Sequence, residues 1–184
     1  MLDTALKLLN RIEENGFKAY IVGGFVRDYL LGIDSLDVDI CTDARPKDIR
    51  DIFQDACLPK EEYGSVTVNI KNIRFEITTF RKEYTYYQHR KPLEFEYIDD
   101  LREDLKRRDF LINTLCMDKD GVILDFFDGK KDLDERIIHT VGDSFLKFSE
   151  DAFRILRAVR IATVLNFQLS EEVKLAIFRT KHLL

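Results

Sequence analysis

Apolar residues change their spacing abruptly near residue 23, and the elements on either side of that change organise the chain. Ala19-Tyr20-Ile21-Val22 is a continuous run, as in a buried strand, and it stops at Gly23-Gly24. From Phe25 the spacing is helical, with Phe25, Val26, Tyr29 and Leu30 on one side until Gly32 closes the helix. Leu36, Val38 and Ile40 then alternate with Asp37 and Asp39. That pattern predicts a strand sending its apolar residues to the core and both carboxylates to the other face.

The same two periods parse the rest. Ala5, Leu8, Leu9 and Ile12 predict an amphipathic helix over residues 3–15. Pro46 opens a second helix whose buried stripe is Ile49, Ile52 and Phe53. Residues 65–70 and 73–80 alternate on either side of Lys71-Asn72, which predicts a hairpin. Glu76 falls on the face opposite Phe75 and Ile77, either simply exposed or as a third acid beside Asp37 and Asp39. Residues 82–93 carry no period and read as a loop, either ordinary or a mobile segment over the active site.

Beyond it, Leu101–Arg107 reads as a helix, 110–115 as a buried segment and 122–126 as a short strand. Asp128-Gly129 reads as a turn, and Asp132–Ile138 as irregular. Helical spacing resumes at Ser149 and runs to the last residue with a break over 166–170, Ser149 and Ser170 being candidate caps. Within that helix Asp151, Arg154, Arg157 and Arg160, three apart, predict a polar stripe, and Phe153, Leu156 and Val159 an apolar one.

This arrangement carries chemistry at three places. A strand that turns through Gly23-Gly24 into a helix presents backbone N–H groups that a phosphate can approach closely. Arg27, a cation in the first turn where the macrodipole favours acids, implies a strongly anionic partner. Two carboxylates side by side at Asp37 and Asp39 repel one another unless a divalent cation joins them, and an all-oxygen site favours magnesium. Finally, cytosine and adenine each present an amino donor beside a ring-nitrogen acceptor, where uracil and guanine present a carbonyl. An Asp acceptor next to an Arg donor, such as Asp151 with Arg154, fits the first pair and leaves an unpaired group against the second.

Composition narrows the class without changing this picture. The chain's 184 residues suit one domain with a helical appendage, and 45% hydrophobic with 34% charged residues describes a soluble globular protein. No apolar run is long enough to cross a membrane. Cys41, Cys57 and Cys116 are odd in number and unpaired by spacing, so buried thiols without disulfide partners in a reducing cytoplasm are expected. A net charge of −5 argues against general polyanion coating, but Lys106-Arg107-Arg108 and Arg154/Arg157/Arg160 are local basic clusters.

Taken together, the motifs resemble those of the class II tRNA nucleotidyltransferases, the bacterial CCA-adding enzymes and their poly(A) polymerase relatives. The resemblance runs through Gly23-Gly24-Phe25-Val26-Arg27-Asp28 with Leu30-Leu31-Gly32, then Leu36-Asp37-Val38-Asp39-Ile40, then Glu76 to Arg81. It continues through Glu103 to Asn113, containing Arg107-Arg108-Asp109, and through Glu150-Asp151-Ala152-Phe153-Arg154 on to Arg157 and Arg160. These five motifs, in the family's order, span nearly the whole chain.

The resemblance implies an α+β fold: a nucleotidyltransferase head with a mixed, largely antiparallel sheet and flanking helices over residues 1–140, followed by the start of an all-α neck at 141–184. It implies that Asp37 and Asp39 bind two magnesium ions, and that Gly23, Gly24 and Arg27 hold the triphosphate of CTP or ATP. Arg108 with Asp109 would contact the nucleotide or couple head to neck. Asp151 and Arg154 would template the base, with Arg157 and Arg160 supporting them or touching phosphate. The expected activity is template-independent addition of C and A to the tRNA 3′ end. Its rivals are poly(A) synthesis, partial CC or A addition, and non-catalytic nucleotide or RNA binding.

Two features depart from the family pattern. The chain ends at Lys181-His182-Leu183-Leu184 inside an uncapped helical pattern, as expected of an N-terminal portion lacking body and tail. The segment Tyr84 to Pro92, in the region the family uses to switch between C and A, is less acidic than usual.

Overall fold

A computed structural model of the chain describes residues 1–54, 57–58 and 64–184. In order, the elements are α1 (Leu2–Glu14), β1 (Ala19–Val22), α2 (Gly24–Leu30), β2 (Val38–Thr42), α3 (Pro46–Ile52), β3 (Cys57–Leu58), β4 (Ser65–Ile70), β5 (Ile73–Thr79), β6 (Arg81–Tyr87) and β7 (Lys91–Tyr97). They continue with α4 (Leu101–Lys106), a 3-10 turn at Leu111–Asn113, β8 (Cys116–Met117), β9 (Ile123–Leu124), α5 (Gly129–Glu135), β10 (Ile137–Ile138), α6 (Ser144–Glu150), α7 (Phe153–Leu165), β11 (Gln168–Leu169) and α8 (Glu171–Thr180).

A seven-stranded sheet of order β3-β4-β5-β2-β1-β8-β9 forms the head. Within it β2 and β5 run parallel and the other neighbours pair antiparallel, which makes the sheet mixed and largely antiparallel. Its core joins α1 (Ala5, Leu8, Leu9, Ile12) and α3 (Ile49, Ile52) to Ile21, Ile40, Phe75 and Ile77, and extends without a break into Ile155, Ala158 and Ile161 of α7. The hairpin β4–β5 turns at Lys71 and Asn72, both with positive φ (51° and 62°), as a two-residue hairpin turn demands.

Register brings the chemistry to one edge. Val22, the last residue of β1, pairs with Asp39 of β2 on one side and Cys116 of β8 on the other. The glycine turn after Val22 therefore emerges between Asp39 and the chain leaving the 3-10 turn, and Gly23 N–H donates to Leu115 C=O at 3.2 Å.

Several expectations are corrected. Residues 82–93 are not a loop: β6 and β7 form a two-stranded ribbon turning at Gln88 and His89, with φ of 48° and 52°. Register shifts between Glu83 and Thr85 and between Thr85 and Tyr86 break the alternation that would have revealed it. Leu36 is 80% exposed, because β2 starts only at Val38 and Leu36 and Asp37 lie in the preceding connection. Tyr29 is likewise exposed, since α2 is short and buries only Phe25 and Val26.

Asp128-Gly129 is not a free turn but the start of α5, whose first N–H groups are taken by the Asp125 carboxylate through Gly129 and Lys130. The late helix is divided. Asp143 caps α6 by accepting from Leu146 N–H, so Ser149 lies inside a helix, and Asp151 ends that helix rather than heading the arginine stripe. The α7 face is also rotated from expectation. Arg154, Ile155, Ala158 and Ile161 are buried, while Phe153, Leu156 and Val159 are 42%, 51% and 48% exposed. Ser170 does cap α8, accepting from Val173 N–H at 3.2 Å.

Cys41 and Cys116 are buried and free, and the Cys57 side chain lies outside what is described. Among the described residues no helix is long and apolar enough to cross a membrane.

Candidate active site

A polar cleft of about 550 Å³ opens where the glycine turn, β2, the ribbon β6–β7 and the α6–α7 joint meet. Gly23, Gly24, Arg27, Asp37, Asp39, Arg108, Asp109, Asp151, Arg154, Arg157 and Arg160 all line it. Those residues run from position 23 to position 160 of the sequence, and the fold gathers them into one cavity.

Gly23 has φ 80° and ψ −136°, a region open to glycine alone without strain. Side chains leave the start of α2 uncapped. Beside it Arg27 is tied down from two sides. Its Nε and Nη2 donate to Asp28 Oδ1 at 2.8 and 2.7 Å, and its Nη1 donates to Asn113 Oδ1 at 2.9 Å.

Asp39 projects from β2 with Glu76 as its register partner on parallel β5. Asp39 is open to the cleft, yet the protein walls around it thin its hydration and push its carboxyl above the usual carboxylate range; Arg108 and Arg157 oppose this, and the negative charges of Glu76 and Asp37 add to the rise. Loss of hydration leads the rise, and a hard divalent cation held by Asp37 and Asp39 would favour the ionised form. Glu76 stands beside Asp39 but does not line the cleft, and among the described residues no three His, Cys, Asp or Glu side chains gather as a ready-made metal cage. A cation on Asp37 and Asp39 would need further ligands from a bound molecule or water.

Arg108 is enclosed beside the fully buried Asp104, with Nη2 3.7 Å from Asp104 Oδ2 and a buried Nε that has no hydrogen-bond partner among the described residues. Burial opposes its charge, but the carboxylates of Asp104 and Asp39 hold its pKa up. Asp109 is far from the surface ion pair that neighbouring charges in sequence suggest. Its Oδ1 accepts from Phe110 N–H and Asn113 Nδ2, and its Oδ2 from Arg157 Nε and Nη2 at 2.8 and 2.7 Å. Burial would raise its pKa, and Arg157 with those hydrogen bonds keeps it below the ordinary value. The pair joins the head to α7.

At the far wall, Asp151 Oδ1 accepts from Phe153 N–H at 3.0 Å. Burial raises its pKa against the pull of Arg154. Arg154 is 7% exposed and spends three of its five N–H donors on protein: Nη1 on Lys147 C=O and Glu150 Oε2, Nη2 on Arg107 C=O. At most two remain for a base.

The cleft also has a wall that sequence reasoning missed, because 82–93 reads as a loop. Glu83 Oε1 accepts from Arg81 Nε and its Oε2 from Tyr86 Oη, both at 2.7 Å, and Tyr86 lays its ring 5.7 Å from the Arg154 guanidinium. The ribbon tip then grips the α6–α7 joint. Ala152 N–H donates to His89 C=O at 2.8 Å, and Arg90 stacks over Phe153 at 4.4 Å. The tyrosines that follow Glu83 (Tyr84, Tyr86 and Tyr87) were the available sequence signal, hidden by the bulges. Asn113 is another omission, visible only as the last residue of a motif.

Sheet order, helix placement and the mouth at the end of β1 define the class: a nucleotidyltransferase head carrying helices at its C-terminal side. Within that class the chain belongs to the poly A polymerase head domain family, which matches residues 19–139.

Among its relatives, the CCA-adding enzyme of Lactococcus lactis subsp. lactis is 47% identical over 183 residues, covering 98% of this chain and 46% of the relative. That of Staphylococcus haemolyticus is 43% identical over 187 residues, covering 100% and 47%. The crystal structure of the Bacillus stearothermophilus CCA-adding enzyme in complex with CTP superposes with a TM-score of 0.88 at 39% identity, over 97% of this chain and 43% of that one. A tRNA nucleotidyltransferase complexed with a primer tRNA and an incoming ATP analog gives a TM-score of 0.71 at 31% identity, over 100% and 50%. The chain spans about half the length of the relatives it matches.

Proposed function

We propose that this chain is the nucleotide-binding and catalytic part of a CCA-adding tRNA nucleotidyltransferase, residues 1–140 forming the head and 141–184 the start of a helical neck. The observation that carries the reading is the single cleft in which a glycine turn, two acids, an arginine clamp and an Asp/Arg pair face one another. In this reading the RNA 3′ hydroxyl attacks the α-phosphorus of CTP or ATP and pyrophosphate leaves.

The glycine turn and Arg27 hold the triphosphate, with Arg108 beside it. Asp151 accepts from the amino group of cytosine or adenine while Arg154 donates to the adjacent ring nitrogen; uracil and guanine leave one of these groups unpaired. Arg157 and Arg160 add positive charge on the approach to the same wall. Asp37 and Asp39 would hold two magnesium ions, which would supply charge to lower the pKa of the attacking hydroxyl and to stabilise the leaving group. The remaining catalysis is positioning, and no protein nucleophile is required. Buried free thiols at Cys41 and Cys116 suit a reducing cytoplasm.

The test is equilibrium binding of the four ribonucleoside triphosphates to this chain with and without magnesium, followed by transfer to a tRNA lacking its terminal CCA. CTP and ATP should bind in preference to UTP and GTP, and more tightly with magnesium. Equal binding of all four would remove the templating role, and indifference to magnesium would remove the metal site. The transfer products separate full CCA addition from CC-only, A-only or poly(A) synthesis.

A further inference from the structure

We propose that Asn113 is a positioning residue that couples the triphosphate side of the cleft to its base side. This rests on the nucleotide-binding reading above. Its amide sits in the middle of a continuous run of polar contacts: Asp28 to Arg27, Arg27 to Asn113, Asn113 to Asp109, and Asp109 to Arg157. The run starts on α2, crosses the 3-10 turn and ends on α7.

The chemistry at each end fixes the amide's orientation. Arg27 offers only donors, so the Asn113 oxygen faces it, at 2.9 Å from Nη1. The ionised Asp109 offers only acceptors, so the Asn113 NH2 faces Oδ1, at 3.0 Å. No side chain of the same size with a single polarity serves both neighbours. Aspartate would keep Arg27 but set a second carboxylate against Asp109, and leucine would serve neither.

The local fold does not need this amide. The turn is built by its backbone, with Asn113 N–H donating to Phe110 C=O and Thr114 N–H to Leu111 C=O, and Leu111 N–H is tied to His139 C=O. Asp109 retains Phe110 N–H and Arg157, and Arg27 retains Asp28, if the amide is removed. Yet Asn113 is only 6% exposed with both ends of its amide bonded. What it supplies is the link. A triphosphate that draws on Arg27 pulls through Asn113 on the Asp109–Arg157 pair, and so on the helix that carries the base-side wall.

A double-mutant cycle on CTP affinity tests this in the magnesium-containing chain. Arg27→Lys and Arg157→Lys keep each charge but lose the forked donor geometry, so binding stays measurable. With Asn113 present, the double variant should depart from the product of the single effects by about fivefold or more. In Asn113→Ala and in Asn113→Asp backgrounds the effects should multiply to within about twofold.

Multiplicative effects with Asn113 intact would overturn the proposal, and so would an unchanged departure in both Asn113 variants. Should neither Asn113 variant fold, the amide is structural and the proposal falls. Absence of CTP binding by the unsubstituted chain is a different failure, that of the nucleotide-binding reading itself.

Discussion

Arg154 of α7 donates from Nη2 to the carbonyl of Arg107, 3.1 Å away at the end of α4. Lys147 makes a parallel contact from α6, its Nζ donating to Lys106 C=O at 2.7 Å. The exposed carbonyl end of one head helix is thereby capped by two cations from α6 and α7. The arginine proposed to read the base also bolts the head to the C-terminal helices.

Arg154→Ala should therefore have two consequences. Unfolding free energy should drop by about 3 kcal/mol, the usual scale for breaking a buried charged network on one side. Preference for CTP and ATP over UTP and GTP should fall at the same time. Urea denaturation and competition binding read the two separately. A variant of native stability would show that the Arg107 and Glu150 contacts contribute little.

Glu83 gives a prediction with a sign in pH. Burial would raise its carboxyl, but Arg107 and Arg81, with Tyr86 Oη, outweigh that and hold it below the ordinary value of 4.5. An acid held lower in the folded state contributes stability that is complete above its unfolded pKa and is lost as pH falls through the folded one. Glu83→Gln should thus be less stable than the native chain at pH 7, and the gap should close on acidification below 4.5. A gap independent of pH would mean that Glu83 acts by shape alone. The variant should also loosen Tyr86 from Arg154, measurable as a change in nucleotide preference.

The fold is legible in the sequence wherever alternation and helical phase survive. β1, the β4–β5 hairpin and the α3 start are where the spacing puts them, because each is regular and each buries its apolar face on the main sheet. Asp39 can be placed from Val38 and Ile40. Leu36 cannot, since pairing with β1 stops at Asp39 and nothing holds the chain extended before Val38. The ribbon β6–β7 is hidden by two bulges, and with it Glu83 and Tyr86. The phase of α7 is lost because the Asp151-Ala152 break lies inside an unbroken run of helix-forming residues. A buried Arg154 reverses the rule that charges face water, and only tertiary partners reveal it.

Gly129→Ala tests packing around the turn that carries Asn113. A Cβ at this position would collide with the Leu111 carbonyl oxygen and lie 3.3 Å from Leu115 Cδ2. Backbone is the obstacle, so it cannot swing aside as a side chain would. The substitution should cost about 1–3 kcal/mol as overpacking, despite alanine's better helix propensity. Thermal unfolding checks it, and a stabilised variant would show that α5 shifts freely away from the turn.

Lys147 supplies the converse pH dependence. Burial, reinforced by the positive charge of Arg154, draws its ammonium down to about 8 from 10.5, against the attraction of Glu150, Glu83 and Asp109. Below pH 8 folded and unfolded chains both carry the charge, and the folded chain bears the full penalty of burying it. Between 8 and 10.5 the unfolded chain holds a proton that the folded one has released, so this group makes stability rise with pH, by at most ~1.4 kcal/mol per unit. Cys41, raised by burial, and Tyr86, raised by burial and by Glu83, titrate on the alkaline side with the opposite sign, so the native curve alone does not isolate Lys147. Lys147→Met keeps both of those groups and removes the ammonium. Measured by urea unfolding from pH 7 to 10, the stability difference between the two proteins should move in favour of the native chain as pH passes 8. Parallel curves would mean that the ammonium stays charged in the folded chain, its contact with the Lys106 carbonyl outweighing burial.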